Sequence, residues 1–177
     1  MYRTKRDEVR ACSTGGKDAQ LANAFDERTF LPPAMSIAGG RVGDGLYYYN
    51  DVDDQSATTV EVIDVRAGKT RKPRSYAASS FYDPARVART SLLSSGTIVW
   101  SSCASNAPPS TSPFKASRCP REPGDGTHPV AEVRVGYTNG RSRTLDASNA
   151  IDPRSIRVHN SRVSWTHGST TRSFRLR

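Results

Sequence analysis

Asn50-Asp51-Val52-Asp53-Asp54-Gln55 puts three carboxylates within four positions, hard oxygen donors of the kind Ca²⁺ takes. A calcium loop also needs a glycine at its sharp turn and a bidentate acid downstream, and neither follows at the right distance. The run reads as an acidic turn, with Asp51, Asp53 and Asp54 as candidate ligand contacts and no metal site. The histidines are His128, His159 and His167. Zinc wants three or four convergent ligands, and two histidines eight apart fall short of that. There is no Gly-x-Ser-x-Gly elbow for a nucleophilic serine. Gly15-Gly16 and Gly39-Gly40-Arg41-Val42-Gly43 match neither a phosphate-binding loop nor a dinucleotide fingerprint, and they read as turns. No catalytic residue and no cofactor is expected on motif grounds. Tyr47-Tyr48-Tyr49 alternates along a strand, so Tyr47 and Tyr49 share one face and are the aromatic candidates for ligand contact.

Charge supplies the next candidates. The net charge is +9. Five arginines (Arg157, Arg162, Arg172, Arg175, Arg177) fall between Ser155 and the C-terminus with no acid among them. Five more basic residues (Arg66, Lys69, Arg71, Lys72, Arg74) lie within nine positions. Such clusters attract phosphate or other anionic surfaces. Arg157 and Arg162 are therefore candidate anion contacts. No aromatic side chains interleave with them as a base-stacking platform would require, so solvated strand faces are expected and nucleic acid is not.

Of the three cysteines, Cys12 lies on a strand and reads as a small buried hydrophobe. Cys103 and Cys119 bracket most of a Pro-, Ser- and Gly-rich stretch without hydrophobic period. A disulfide between them would tie that stretch down by about 3 kcal/mol; two unrelated thiols are the alternative. No run approaches the length of apolar sequence needed to span a membrane as a helix, and the charged start Met1–Arg6 is not a signal peptide.

The elements that must position these residues repeat. Glu8-Val9-Arg10-Ala11-Cys12, Glu61-Val62-Ile63-Asp64-Val65 and Glu132-Val133-Arg134-Val135-Gly136 look like three copies of one strand. A glycine follows each (Gly16, Gly68, Gly140), then a basic residue. A second strand type recurs at Leu46–Tyr49, Thr97–Trp100 and Arg162–Trp165. Glu8 to Glu61 is 53 residues and Glu61 to Glu132 is 71, the excess matching an inserted loop at 104–129. A repeat of this length implies stacked or radial supersecondary units. The expected class is all-β, with propeller-like blades of four short antiparallel strands in three to four units. Over one domain, 1–177, these are 8–22 (partial), 35–76, 87–146 with the loop, and 155–177 (partial). Residues 23–35 read as irregular, and no window carries a helical period.

Strand units of this kind, with a glycine turn and a basic residue between the outer two strands, resemble the WD40-like repeats of TolB-type bacterial β-propellers. Val60 to Lys69 and Ala131 to Val135 look like the third strand of such blades. Ile151 to Val158, with Val163 to Thr166, resembles the closing blade of secreted actinobacterial propeller proteins. The resemblance implies a partial propeller, completed by further blades or a partner chain. It also implies an extracytoplasmic setting if the chain belongs to a longer exported protein. The functional expectation is a non-enzymatic binding or scaffold module whose loop face meets a protein or small ligand. A hydrolase or lyase portion, drawing on His159, Asp53 and Asp54, is the alternative; anion or nucleic-acid binding through the basic C-terminal face is the second.

Overall fold

The computed structural model describes residues 2–3, 8–12, 18–23, 28–30, 36–50, 55–65, 74–81, 85–104 and 129–176. Those residues form an all-β chain with no helix. Fifteen strands run in order: β1 Tyr2–Arg3, β2 Glu8–Cys12, β3 Asp18–Asn23, β4 Arg28–Phe30, β5 Ser36–Ala38, β6 Arg41–Asn50, β7 Gln55–Asp64, β8 Arg74–Ala77, β9 Ala85–Leu92, β10 Ile98–Ala104, β11 Ala131–Gly136, β12 Ser142–Ser148, β13 Arg157–His159, β14 Arg162–His167 and β15 Thr170–Arg175. They assemble as successive antiparallel meanders: β1-β2-β3, then β4/β5-β6-β7-β8, then β9-β10-β11-β12, then β13-β14-β15. These open antiparallel sheets bear out the all-β class and are consistent with the partial propeller that the repeat predicts.

The repeat holds for the glutamate strands but not for the second strand type, because Trp100 pairs with Arg134, two past Glu132, whereas Tyr48 pairs with Ala57, four before Glu61. The second-type strands are β6, β10 and β14, and the glutamate strands are β2, β7 and β11. Glu61 pairs across β7 with Ser75 of β8, and Glu132 pairs across β11 with Ala147 of β12. The turns follow local chemistry. Gly140 adopts φ 84° between β11 and β12, and Asn139 Oδ1 accepts the Arg141 N–H at 3.0 Å.

Two expectations are corrected. Residues 23–35 are not wholly irregular, because Arg28–Phe30 pairs with Leu46–Tyr48. The ten-residue β6 is long enough to hold two short partners end to end, β5 on Arg41–Gly43 and β4 on Leu46–Tyr48. Pro32-Pro33, which lacks ladder donors, falls between those partners in sequence. Gly43 is not a turn residue either. It lies inside β6, where a Cβ would meet Ile98 Cδ1 at 2.5 Å, and at Gly45 a Cβ would meet Val87 at 2.8 Å. The missing side chains let β6 press directly onto the next sheet.

The β9–β12 sheet is buried on both faces. Ile98 and Trp100 join Val60, Val62, Tyr76, Ala78, Ala85 and Val87 in a core against the preceding sheet. Val99, Cys103, Val133 and Val135 join Ile156, Val163, Trp165 and Leu176 in a core against the following one. Period-two alternation thus sends successive residues of β10 into different cores, and every residue of β10 and β11 is buried. The chain leaves β10 at Ala104 and returns at Val130, where the Ala104 N–H meets the Val130 carbonyl at 3.0 Å. The 105–128 stretch therefore springs from a closed point between neighbouring strands; Cys119, His128 and the body of the expected loop lie outside the described residues.

Candidate functional site

Two β-bulges decide which side chains the third sheet offers to the fourth. In β9, Val87 pairs with Ser102 and Arg89 with Ser101, leaving Ala88 as the extra residue. Val87 packs into the core toward the second sheet. Strict alternation would send Arg89 the same way. The bulge turns Arg89 to the other face, where its Nη1 donates to the Arg154 carbonyl at 3.3 Å. Across the same sheet, Val133 pairs with Asp146 and Arg134 with Thr144, leaving Leu145 extra. Thr144 meets Ser80 at the end of the second sheet, whereas Asp146 reaches the fourth. Bulges re-aim side chains in this manner.

The first site lies along β9 and β13, the leading strands of their sheets. A cavity of about 420 Å³ opens where they end, lined by Ser36, Ser91, Leu93, Ser94, Asn160 and Ser161 among others. Its rim includes the β13–β14 turn, where Asn160 and Ser161 hold φ of 45° and 58°. Thr90 fixes the opposite rim by donating to Ser36 Oγ at 3.0 Å. One step along the same strands lies a cluster of arginines. Arg157 Nη1 donates to the Arg154 carbonyl at 3.1 Å and to the Ile156 carbonyl at 2.8 Å, so Arg89 and Arg157 share one acceptor. Burial, then the nearby charge of Arg154, holds the Arg86 guanidinium below its ordinary pKa. Asp152 is the acid of this stretch, and its Oδ1 accepts the Arg154 backbone N–H at 2.9 Å. Chemically the site offers hydroxyl and amide groups beside converging guanidiniums, a surface for polar or anionic ligands.

The second cluster centres on Asp146. Its carboxylate accepts Trp165 Nε1 at 2.7 Å, Arg172 Nη1 at 2.8 Å and pairs with His167 Nδ1 at 2.9 Å. Burial pushes the carboxyl up, but the Trp165 and His167 hydrogen bonds and the Arg172 charge outweigh it and hold the group below the carboxylate range. Glu132, 1% exposed, has a similar role toward the second sheet. Its two oxygens accept the Ser80 N–H at 3.1 and 3.0 Å, Ser79 Oγ donates at 3.1 Å, and Arg134 lies 3.6 Å away. These clusters clamp neighbouring sheets. Asp146 also orients the His167 imidazole.

The sequence candidates separate. Arg157 is exposed in the arginine cluster, while Arg162 lies apart from it, donating to Ser173 Oγ on the neighbouring strand at 3.0 Å. Cys103 is buried at the end of β10. His159 is exposed on β13. Tyr47 and Tyr49 lie in β6 with side chains outside the described residues, as are Asp51, Asp53 and Asp54 entirely. Among the described residues no group of three or more His, Cys, Asp or Glu is placed to hold a metal. Sequence reasoning missed Arg86, Arg89, Arg154 and Asp146, and weighed His167 only as a zinc ligand. The only trace of the first two was a three-residue spacing in Ala85-Arg86-Val87-Ala88-Arg89, which breaks alternation. Compared with known proteins, the chain matches no family model, no curated protein and no solved structure.

Proposed function

We propose that this chain is a non-catalytic binding module of the WD40-like, TolB-type propeller kind, serving within an extracytoplasmic bacterial protein. The observation that carries the reading is the cavity at the ends of β9 and β13, rimmed by hydroxyl and amide side chains. A rigid stack of sheets that positions recognition groups at strand ends is the general way such scaffolds bind. The 105–128 stretch, leaving and rejoining at one point, supplies the specialised loop of the same reading. A Cys103–Cys119 bridge belongs to it as well, because it would tie that stretch to the end of β10. The strand-end cavity accommodates a small polar ligand, with a protein partner engaged through the loop.

The test is a ligand-observed NMR screen of small polar compounds against the wild-type chain and Ser91→Phe, which fills the cavity. Saturable, reversible binding that Ser91→Phe removes supports the module. Chemical conversion of a bound compound would overturn it. That result would select the hydrolase or lyase reading, which the Asp146–His167 pair favours.

A further inference from the structure

Resting on the binding-module reading, we propose that β9 and β13 carry a site for a compact oxyanion of the phosphate-ester or sulfate class, gripped by Arg89 and Arg157. The geometry is specific to these two side chains. Both guanidiniums point a single Nη1 at the Arg154 carbonyl. That shared acceptor brings two positive groups together and fixes their orientation without neutralising either. A guanidinium has five N–H donors in a rigid fork. Arg89 donates one hydrogen bond, to the Arg154 carbonyl, and Arg157 directs one nitrogen at two carbonyls. The donors that remain suit the paired oxygens of a tetrahedral anion.

The charge around the pair has the right sign. Arg86 lies on the same face of β9, and its guanidinium feels the charge of Arg154. Both have interactions of their own within the fold, and they contribute field more than contacts. Asp152 opposes this field, but one of its oxygens is committed to the Arg154 N–H. Like charges held together cost free energy that a bound dianion returns. The bulge at Ala88 is what creates the arrangement, because without it Arg86 and Arg89 would face different sheets.

The pattern favours a compact ligand over a nucleic-acid strand. A strand-binding surface needs charge spread along a groove with aromatic stacking partners. Here the cluster is local, and the cavity lined by Ser91, Leu93, Val158 and Asn160 opens further along the same strands. A phosphate or sulfate group at the arginines would leave the rest of a small ligand facing those hydroxyl, amide and apolar groups.

The experiment is calorimetric titration of the full chain with inorganic phosphate and with inorganic sulfate, each against chloride at matched ionic strength. The wild type is compared with Arg89→Gln/Arg157→Gln and with Arg162→Gln, the last a nearby arginine outside the cluster. Saturable binding of phosphate or sulfate is expected, weakened about tenfold or more in the double variant, as loss of charged hydrogen bonds implies. Arg162→Gln should keep wild-type affinity. Matching melting curves in chloride establish that the variants fold. Equal loss in Arg162→Gln, or none in the double variant, overturns the site. Tight binding of a single-stranded oligonucleotide that phosphate fails to displace would instead assign the cluster to a nucleic-acid backbone. Neutral polar compounds entering the cavity without any anion binding would sink this inference while leaving the binding module standing. Failure of both would remove the two together.

Discussion

Trp100 and Trp165 occupy the same position in successive sheets. Trp100 Nε1 donates to the Ala78 carbonyl at 2.8 Å, and Trp165 Nε1 donates to Asp146 Oδ2 at 2.7 Å, each reaching back to the preceding sheet. Each indole also faces an arginine across the ladder, Arg134 for Trp100 and Arg172 for Trp165. Arg134 lies 5.8 Å from the centroid of the Trp100 ring. The repeated unit is therefore more than a strand pattern. It includes an inter-sheet bolt in which the ring fills the core and its single donor fixes the spacing.

Phenylalanine at either position keeps most of the ring and deletes the donor. Trp100→Phe strands a buried carbonyl, and Trp165→Phe takes a hydrogen bond from a buried carboxylate. Each should cost about 1–3 kcal/mol, read as a lower urea midpoint at unchanged slope. Losses below about 0.5 kcal/mol, within the range of ordinary surface substitutions, would show that the bolts carry no load.

Asp146 predicts an acid limb of a particular sign. Its carboxyl is held below the ordinary value in the folded chain, so the unfolded chain takes up this proton first as pH falls past about 3.9. The stabilisation is complete at neutral pH and is lost as pH drops from that value toward the lower folded one. Asp146→Asn should be less stable than wild type at pH 7. The gap should narrow below about pH 4, near the ordinary carboxylate value. Urea melts from pH 3 to 7 measure it, and a gap that stayed constant with pH would refute the assignment.

Glu132 and Arg134 form a charge pair that is costly to break on one side only. Burial holds the Arg134 guanidinium below its ordinary pKa, partly offset by Glu132. Glu132→Leu leaves that cation without its counter-charge and the Ser80 N–H without its acceptor, at a cost of about 3–5 kcal/mol. Adding Arg134→Leu should recover part of the loss, because an apolar pair has no charge to desolvate. Denaturant unfolding of the single and double variants decides it; a double variant weaker than Glu132→Leu would contradict the account.

The proposed disulfide can be tested directly. Cys103 is 1% exposed, and the sequence offers Cys119 or Cys12 as partner. Non-reducing peptide mapping should return a peptide linking Cys103 to Cys119. A peptide linking Cys103 to Cys12 would join the first and third sheets instead and would refute the loop-closing role.

The strands were legible because their pattern is local. Glu61 and Glu132 stand at corresponding places in β7 and β11, and the Asn139-Gly140 and Asn160-Ser161 turns lie where turn chemistry puts them. The burial of β10 on both faces had no such mark, because Ser101 and Ser102 interrupt its apolar residues. The sites were not legible, because they depend on two extra residues in otherwise regular strands. Ala88 and Leu145 carry no compositional mark, yet they decide that Arg89 and Asp146 face the fourth sheet. Read by strict alternation, both point the wrong way. Arg162 looked equivalent to Arg157 by charge alone, but its guanidinium turns to Ser173 on the neighbouring strand, away from the cluster. Contacts between separate strands, as across 19 residues between Asp146 and Trp165 or 65 between Arg89 and Arg154, have no short-range signature.

Ser161 offers a last prediction at the cavity rim. Both turn residues between β13 and β14 are left-handed, as a type I′ hairpin requires, and asparagine at the first tolerates this well. Serine at the second, with φ 58°, does not, since its Cβ crowds the backbone by about 1–2 kcal/mol. Glycine removes that strain but adds freedom to the unfolded chain, about 0.5–1 kcal/mol against it. Ser161→Gly should therefore raise stability by roughly 0.5–1 kcal/mol. The hydroxyl is not needed for the turn, because the contact to the next strand is the Leu176 N–H on the Ser161 carbonyl at 2.7 Å. Thermal melts of the two proteins test this, and a lower midpoint for the glycine variant would mean that the Ser161 side chain holds the rim.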